Sequence, residues 1–282
     1  MQNKNFWILS WILVLTLLSC HEGLAQSAEA PKTSNAQSFL RTVGGDMVRV
    51  FSSPLRLSKN DGLHLIAFTT VTAGFYAFLD APVDEEYARE NRHAVFYPAK
   101  KLAGIGKIYD DISPVNFSIG ISAGLLVGGI VLQDKKLLET TRLVIESVLL
   151  NKTITSFSKG VIGRSRPYGE RGPHDLNLFK SNRAEEFRSM PSGHVSNIFA
   201  IIGVIDKQYD HWWVKIPAYT LGVSVAFQRM NDRQHWASDV IVGGGLGYWI
   251  GSALANKKPE GSKRSSFHPY LFKNTVGVAI NF

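Results

Sequence analysis

The sequence predicts an all-α protein: a helical bundle of about six core helices with a short extended tail at its C-terminus. Two observations carry that expectation. Apolar residues recur over stretches too long, or too close to a 3.6-residue period, for strands. Strand-like alternation is confined to the far end, where Val276, Val278 and Ile280 alternate with Gly277, Ala279 and Asn281. That segment resembles the last strand of an outer-membrane barrel, but no set of upstream partner strands could close one.

The elements follow in order. Lys4 and the apolar run over 6–18 form a secretory signal, giving a signal peptide over 1–25. Leu17-Leu18-Ser19-Cys20 resembles a lipoprotein box and Gly23-Leu24-Ala25 an ordinary cleavage site, so both processing routes stay open. Cys20 is the one cysteine in the chain, which excludes an intramolecular disulfide. Residues 26–45, rich in Ala, Ser, Gln and Gly, read as a flexible tether, and the folded body is expected from Asp46 to Ala255. Core helices are expected within 62–79, 115–132, 137–157, 195–205, 216–227 and 240–255. Turns at Asp80-Ala81-Pro82 and Ile112-Ser113-Pro114, and a long polar connection over 168–190, separate them. Residues 256–282 form the tail.

At 282 residues and 45% hydrophobic content the chain fits one globular domain. A net charge of +8 and a pI near 9.5 favour anionic partners such as phosphate esters or anionic lipid. No basic run interleaved with aromatics points to nucleic acid. Mean hydropathy is -0.02, low for a protein held mostly in lipid, and only 115–132 reads as fully lipid-compatible. The expectation is an exported bundle of the bacterial cell envelope, facing the periplasm and membrane-associated, with a multi-pass inner-membrane protein as the alternative. Oligomeric state stays open.

Chemistry concentrates in three places. Lys159 and Arg166 stand seven residues apart, so on a helix ended by Pro167 they would share a face and offer two cations to a phosphoryl group. Arg164 would lie off that face. Pro191-Ser192-Gly193-His194 opens an apolar helical run, where unpaired N–H groups and the Ser192 hydroxyl could cradle phosphate and His194 could protonate a leaving oxygen. Arg229 precedes His235 and Asp239; four residues apart on a helix, Asp239 could hold one nitrogen of His235 and leave the other free to attack. Singly, each has a plainer reading: a solvated basic helix end, a serine cap, a surface His–Asp pair.

Together they form one ordered signature, which resembles the type 2 phosphatidic acid phosphatase superfamily, a family that also includes acid phosphatases and vanadium haloperoxidases. That family's pattern runs Lys, six residues, Arg-Pro; Pro-Ser-Gly-His; Ser-Arg, five residues, His, three residues, Asp. Ten of its eleven defined positions are met in order and spacing within 112–255, Gln228 standing where the family has serine. The resemblance implies a bundle whose three motifs converge at one end and a phosphatase working through a phosphohistidine. His235 would be the nucleophile, Asp239 its orienting group and His194 the acid and then base. Lys159, Arg166, Ser192, Gly193 and Arg229 would bind the phosphate oxygens. Neither metal nor cofactor is called for, and His174-Asp175 lacks ligand spacing. The expected substrate is a phosphomonoester or diphosphate of a lipid, such as undecaprenyl diphosphate, phosphatidylglycerol phosphate or lipid A. Alternatives are a soluble broad-specificity acid phosphatase acting on small phosphate esters, a vanadium haloperoxidase, and a non-catalytic envelope protein.

Overall fold

The computed structural model describes residues 35–53, 57–89, 93–179, 184–256, 266–272 and 275–281. The expected signal peptide, both processing sites and Cys20 lie outside the described residues.

Helix α1 (Asn35–Ser52) begins well before the expected start of the body at Asp46, so the second half of the expected tether is helical. The reason lies in Asp46 itself, which is buried and paired with Arg49 (3.1 Å) and with Arg142 (2.6 Å), tying this segment to the bundle. Helix α2 (Lys59–Gly74) opens with a capping box between Ser58 and Asp61, then passes through a π-helical turn (Phe75–Leu79) into α3 (Asp80–Ala88). The amphipathic α4 (Tyr97–Ile112) was not expected among the core helices; five charged residues had masked its apolar stripe. Ser113 then caps α5 (Pro114–Val131), and Asp134 caps the long α6 (Lys135–Ile162). Helices α7 (Gly193–Gln208), α8 (Trp212–Asn231) and α9 (Ala237–Ala255) complete the bundle. The strand-like tail is half of an antiparallel hairpin, β1 (Ser266–Phe272) with β2 (Thr275–Asn281), in which Phe267 pairs with Ile280 and Leu271 with Val276.

Helix α7 is the centre of the packing. Its Ile201 and Val204 meet Leu143, Val144 and Leu150 of α6, Ile250 and Leu254 of α9, and Val50 of α1. Its Val195, Ile198 and Ile202 meet Tyr109 of α4, Val225 of α8 and Val240 of α9. Burial of such side chains contributes about 1.5–3 kcal/mol each. Helices α7 and α9 approach to backbone contact because α9 carries glycine at every fourth position where they cross. A Cβ on Gly243 would lie 2.6 Å from the Ser192 carbonyl oxygen, and one on Gly247 would lie 2.1 Å from that of Ser196. Any side chain there would push the two helix starts apart, and both starts carry site residues.

Two runs are long and apolar enough to cross a membrane, Lys59–Ala88 and Pro114–Val131, with 0% and 17% of their apolar windows buried. The sequence reading had named only the second. The first contains the apolar stretch expected over 62–79 and runs on past Asp80, whose carboxylate is buried while Leu63, Ile66 and Phe78 are exposed.

Candidate active site

Lys159 sits in the last turn of α6, which stops because Gly163 adopts the left-handed conformation (φ 57°). Arg166 therefore stands beyond the helix in extended backbone, and the two cations do not share a helical face as expected. They converge all the same, because the chain turns back after Gly163: Arg166 N–H donates to Glu186 and Ser189 N–H to Arg164. Nζ of Lys159 donates to the Arg188 carbonyl at 2.6 Å, and a Cβ on Gly193 would lie 3.8 Å from Cε of Lys159.

Ser192 is the N-cap of α7, but its hydroxyl caps nothing; it is buried and has no hydrogen-bond partner. Nε of Arg166 and Nε of Arg229 share that condition. Buried donors are normally paired. Three of them lacking partners beside Lys159 and the first turn of α7 describe a place for an oxyanion. Arg229, in the last turn of α8, is held by Asp110 of α4 through an ion pair of 2.5 Å. The other oxygen of Asp110 lies 3.6 Å from Nε2 of His194.

His235 precedes α9 rather than lying on it; Trp236 is the N-cap. The expected i,i+4 pairing along one helix is therefore not what forms: Nδ1 of His235 is 3.9 Å from Asp239, beyond hydrogen-bond reach. Asp239 is engaged elsewhere, accepting from Ser189 Oγ (2.5 Å), Trp236 N (3.0 Å) and Arg164 Nη1 (2.7 Å). A shift of about 1 Å would bring His235 within reach of it.

Arg164, set aside from sequence as lying off the phosphate-facing side, is the organiser of this region. It is fully buried and also donates to Pro173 O, Ser238 Oγ and Asp80, each at 2.7 Å. Asp80 in turn accepts from the Ser238 amide at 2.9 Å and its hydroxyl at 2.5 Å. Sequence reasoning missed Asp80 and Asp110, since both act across long separations and neither belongs to a motif. Arg164 could have been suspected from its place between the two clamp residues. Gln228, which stands where the family has serine, donates to Asp232 at 2.9 Å.

Burial and the cluster of positive charge govern ionisation. Burial, with Arg166 beside it, pushes Lys159 down to about 7. Burial first, then Arg229, His235 and Lys159, holds His194 well below the usual histidine range. Burial, then Lys159, Arg166 and Arg229, does the same to His235. Neutral imidazole is the form that can attack an electrophile.

The site opens into a cavity of about 380 Å³ between α5 and α6. Its lining brings His194, His235, Lys159, Arg166 and Arg229 together with the apolar side chains of Val115, Ile119, Ile145, Val148 and Leu149. Among the described residues, no group of three His, Cys, Asp or Glu side chains is placed to hold a metal ion.

A family model of the PAP2 superfamily matches residues 141–260. A lipid A 1-phosphatase of Porphyromonas gingivalis is 35% identical over 82 residues, covering 26% of this chain and 18% of that protein, so the chain spans under a fifth of its relative's length. The crystal structure described as the first transmembrane PAP2 type phosphatidylglycerolphosphate phosphatase, from Bacillus subtilis, superposes with a TM-score of 0.44 at 18% identity, over 67% of this chain and 91% of that one. The motif residues gathered at this site all fall within residues 141–260, the part of the chain that is similar to the PAP2 superfamily.

Proposed function

We propose that the protein is a membrane-associated phosphatase that hydrolyses a lipid phosphate through a phosphohistidine. The observation that carries the reading is the continuity of the cationic clamp with the apolar gallery between α5 and α6. A phosphoryl group suits the cations and a hydrocarbon chain the apolar side chains. The exposed apolar faces of Lys59–Ala88 and Pro114–Val131 give the protein a surface to present to lipid.

Mechanism follows from the residues. The incoming phosphate dianion satisfies Lys159, Arg166, Arg229, the Ser192 hydroxyl and the Gly193 amide; its charge offsets the cations that act with burial to depress His194, which takes up a proton from water beside Asp110, while the fully buried His235 stays neutral. His235 attacks phosphorus; the P–N bond forms as the P–O bond to the leaving group breaks. His194, whose charged form Asp110 favours, delivers its proton to the departing oxygen. Asp239 stabilises the charge that His235 acquires. In the second step His194 takes a proton from water, whose oxygen attacks phosphorus and releases His235. The clamp favours both transition states because charge on the equatorial oxygens is greatest there. Three protein cations supply the charge that a metal would otherwise bring, so the reaction is read as metal-independent.

The test is phosphate release by wild type and His235→Ala from lipid phosphates and para-nitrophenyl phosphate, with EDTA present. Release that survives EDTA and vanishes in the variant is expected; loss in EDTA would refute the metal-free mechanism. Val148→Trp, which narrows the gallery, should lower activity on long-chain lipid while sparing para-nitrophenyl phosphate. Equal activity on both in Val148→Trp would favour the soluble acid phosphatase reading.

A further inference from the structure

Away from the active site, a buried cluster of charge joins α1 to α6 and takes no part in the mechanism. Nη1 of Arg142 donates to Asp46 of α1 and to Glu146 of its own helix, each at 2.6 Å. An NH2 nitrogen has two hydrogens, so this one is fully spent between the two carboxyl groups. Asp46 is 2% exposed and Glu146 5%. The second oxygen of Asp46 meets Arg49 at 3.1 Å, but that of Glu146 is buried without a hydrogen-bond partner. Glu139, on the exposed side of the cluster, approaches Arg142 at 3.8 Å and adds a third carboxylate.

A buried carboxylate with one oxygen bare is costly to ionise. Burial first, opposed by Arg142 and reinforced by Asp46, raises Glu146 to about 7. A proton on Glu146 also finds an acceptor, because the Asp46 carboxylate is close enough to bond it. Two carboxyl groups that share a proton attract; two carboxylates repel.

The contact that yields to this repulsion is the one between α1 and the bundle. Leu143, Val144 and Leu150 hold α6 against Ile201 and Val204 of α7 and Ile250 and Leu254 of α9. To that core α1 contributes Val50, and it is tied to α9 by Arg49 on the Leu254 carbonyl (3.3 Å) and by Trp249 on the Ser53 hydroxyl (2.9 Å). A helix at the edge of a bundle can open while the rest stays folded.

We propose that Asp46, Arg142 and Glu146 form a proton-dependent latch on α1: a proton shared by the two carboxyl groups keeps α1 docked on α6 and α9, and its loss releases the helix. The latch is independent of the phosphatase reading. It bears on the site all the same, since Ile145, Val148 and Leu149 from the same stretch of α6 line the cavity, so α1 braces a helix that forms the cavity wall. With α1 undocked, Glu146 returns toward its ordinary 4.5. Between that value and about 7 the docked form holds the extra proton, and its advantage falls roughly ten-fold per pH unit, levelling off above.

Hydrogen exchange of the full chain in detergent, corrected for the intrinsic effect of pH, reads the opening of α1 at pH 5 and pH 7.5, with α7 as internal reference. Expected in wild type is a loss of protection in α1 of about fifty-fold, with α7 unchanged. Glu146→Gln, which places an N–H where the shared proton would be, should hold α1 protection within about two-fold over the same range. Asp46→Asn, which leaves Glu146 with Arg142 to itself, should flatten the dependence too and serves if Glu146→Gln fails to fold. Equal protection of wild-type α1 at the two pH values, the same fall in the variants, or an equal fall in α7 overturns the latch.

Discussion

Arg164 and Arg166 are two residues apart and of one type, yet the structure assigns them opposite energetics. Arg164 has no exposed side-chain surface and bridges two carboxylates, Asp80 and Asp239, that are themselves fully buried. Replacing it with Met keeps much of the volume but strands both carboxylates. Breaking a buried pair in this way costs about 3–5 kcal/mol. At roughly 2–4 °C per kcal/mol for a chain of this size, the melting temperature should fall by about 10 °C. Arg166 pairs with Gln234 and with Glu185, an exposed residue, and it sits among Lys159 and Arg229, whose charges oppose its own. Arg166→Met should therefore change stability by no more than about 1 kcal/mol, while removing a clamp donor worth roughly 10²–10³ in kcat. Arg164→Met should also lose activity, because Asp239 loses its anchor, so only the stability measurement separates the two. The assay is thermal unfolding of both variants and wild type in the same detergent, alongside phosphate release from one substrate. If Arg164→Met melts within about 2 °C of wild type, or Arg166→Met melts as early as Arg164→Met, the assignment of a structural and a chemical arginine is wrong.

Three further outcomes are expected. Lys159 is held at about 7, below its ordinary range, so it loses charge as pH rises through that value; kcat/KM should fall above neutrality, while depression of His235 keeps the nucleophile available well into acid. The same shift means the unfolded chain binds more protons than the folded one above about pH 7, so the penalty of burying charged Lys159 fades as pH rises, and phosphate binding near pH 8 should take up about one proton, measurable calorimetrically in buffers of different ionisation enthalpy; no uptake would refute it. Gly247→Ala places a methyl 2.1 Å from the Ser196 carbonyl oxygen, where only backbone can yield, and should destabilise the protein by about 1–3 kcal/mol and lower kcat by separating the starts of α7 and α9; an unchanged melting temperature would show that the helices can part without cost.

What the sequence by itself determined is the class of fold and most of the polar residues that line one cavity. Helical periodicity over 62–79, 115–132, 137–157, 195–205, 216–227 and 240–255 is a local property, and each segment falls within or across helices of the structure. The signature residues were legible for a related reason. Ser192 and Gly193 sit at a helix start, where N–H donors are left unpaired, and Lys159 and Arg229 in last turns, where orphan carbonyls favour a cation.

Tertiary structure alone decided how those residues are held. The helix end at Gly163 and the N-cap at Trp236 replaced the two helical spacings that were meant to align Lys159 with Arg166 and His235 with Asp239. Asp80 meets Arg164 across 84 positions and Asp110 meets Arg229 across 119, distances over which no periodicity carries information. A buried ion pair is specified by the packing that excludes water around it, and that packing exists only once α3, α4, α8 and α9 have come together.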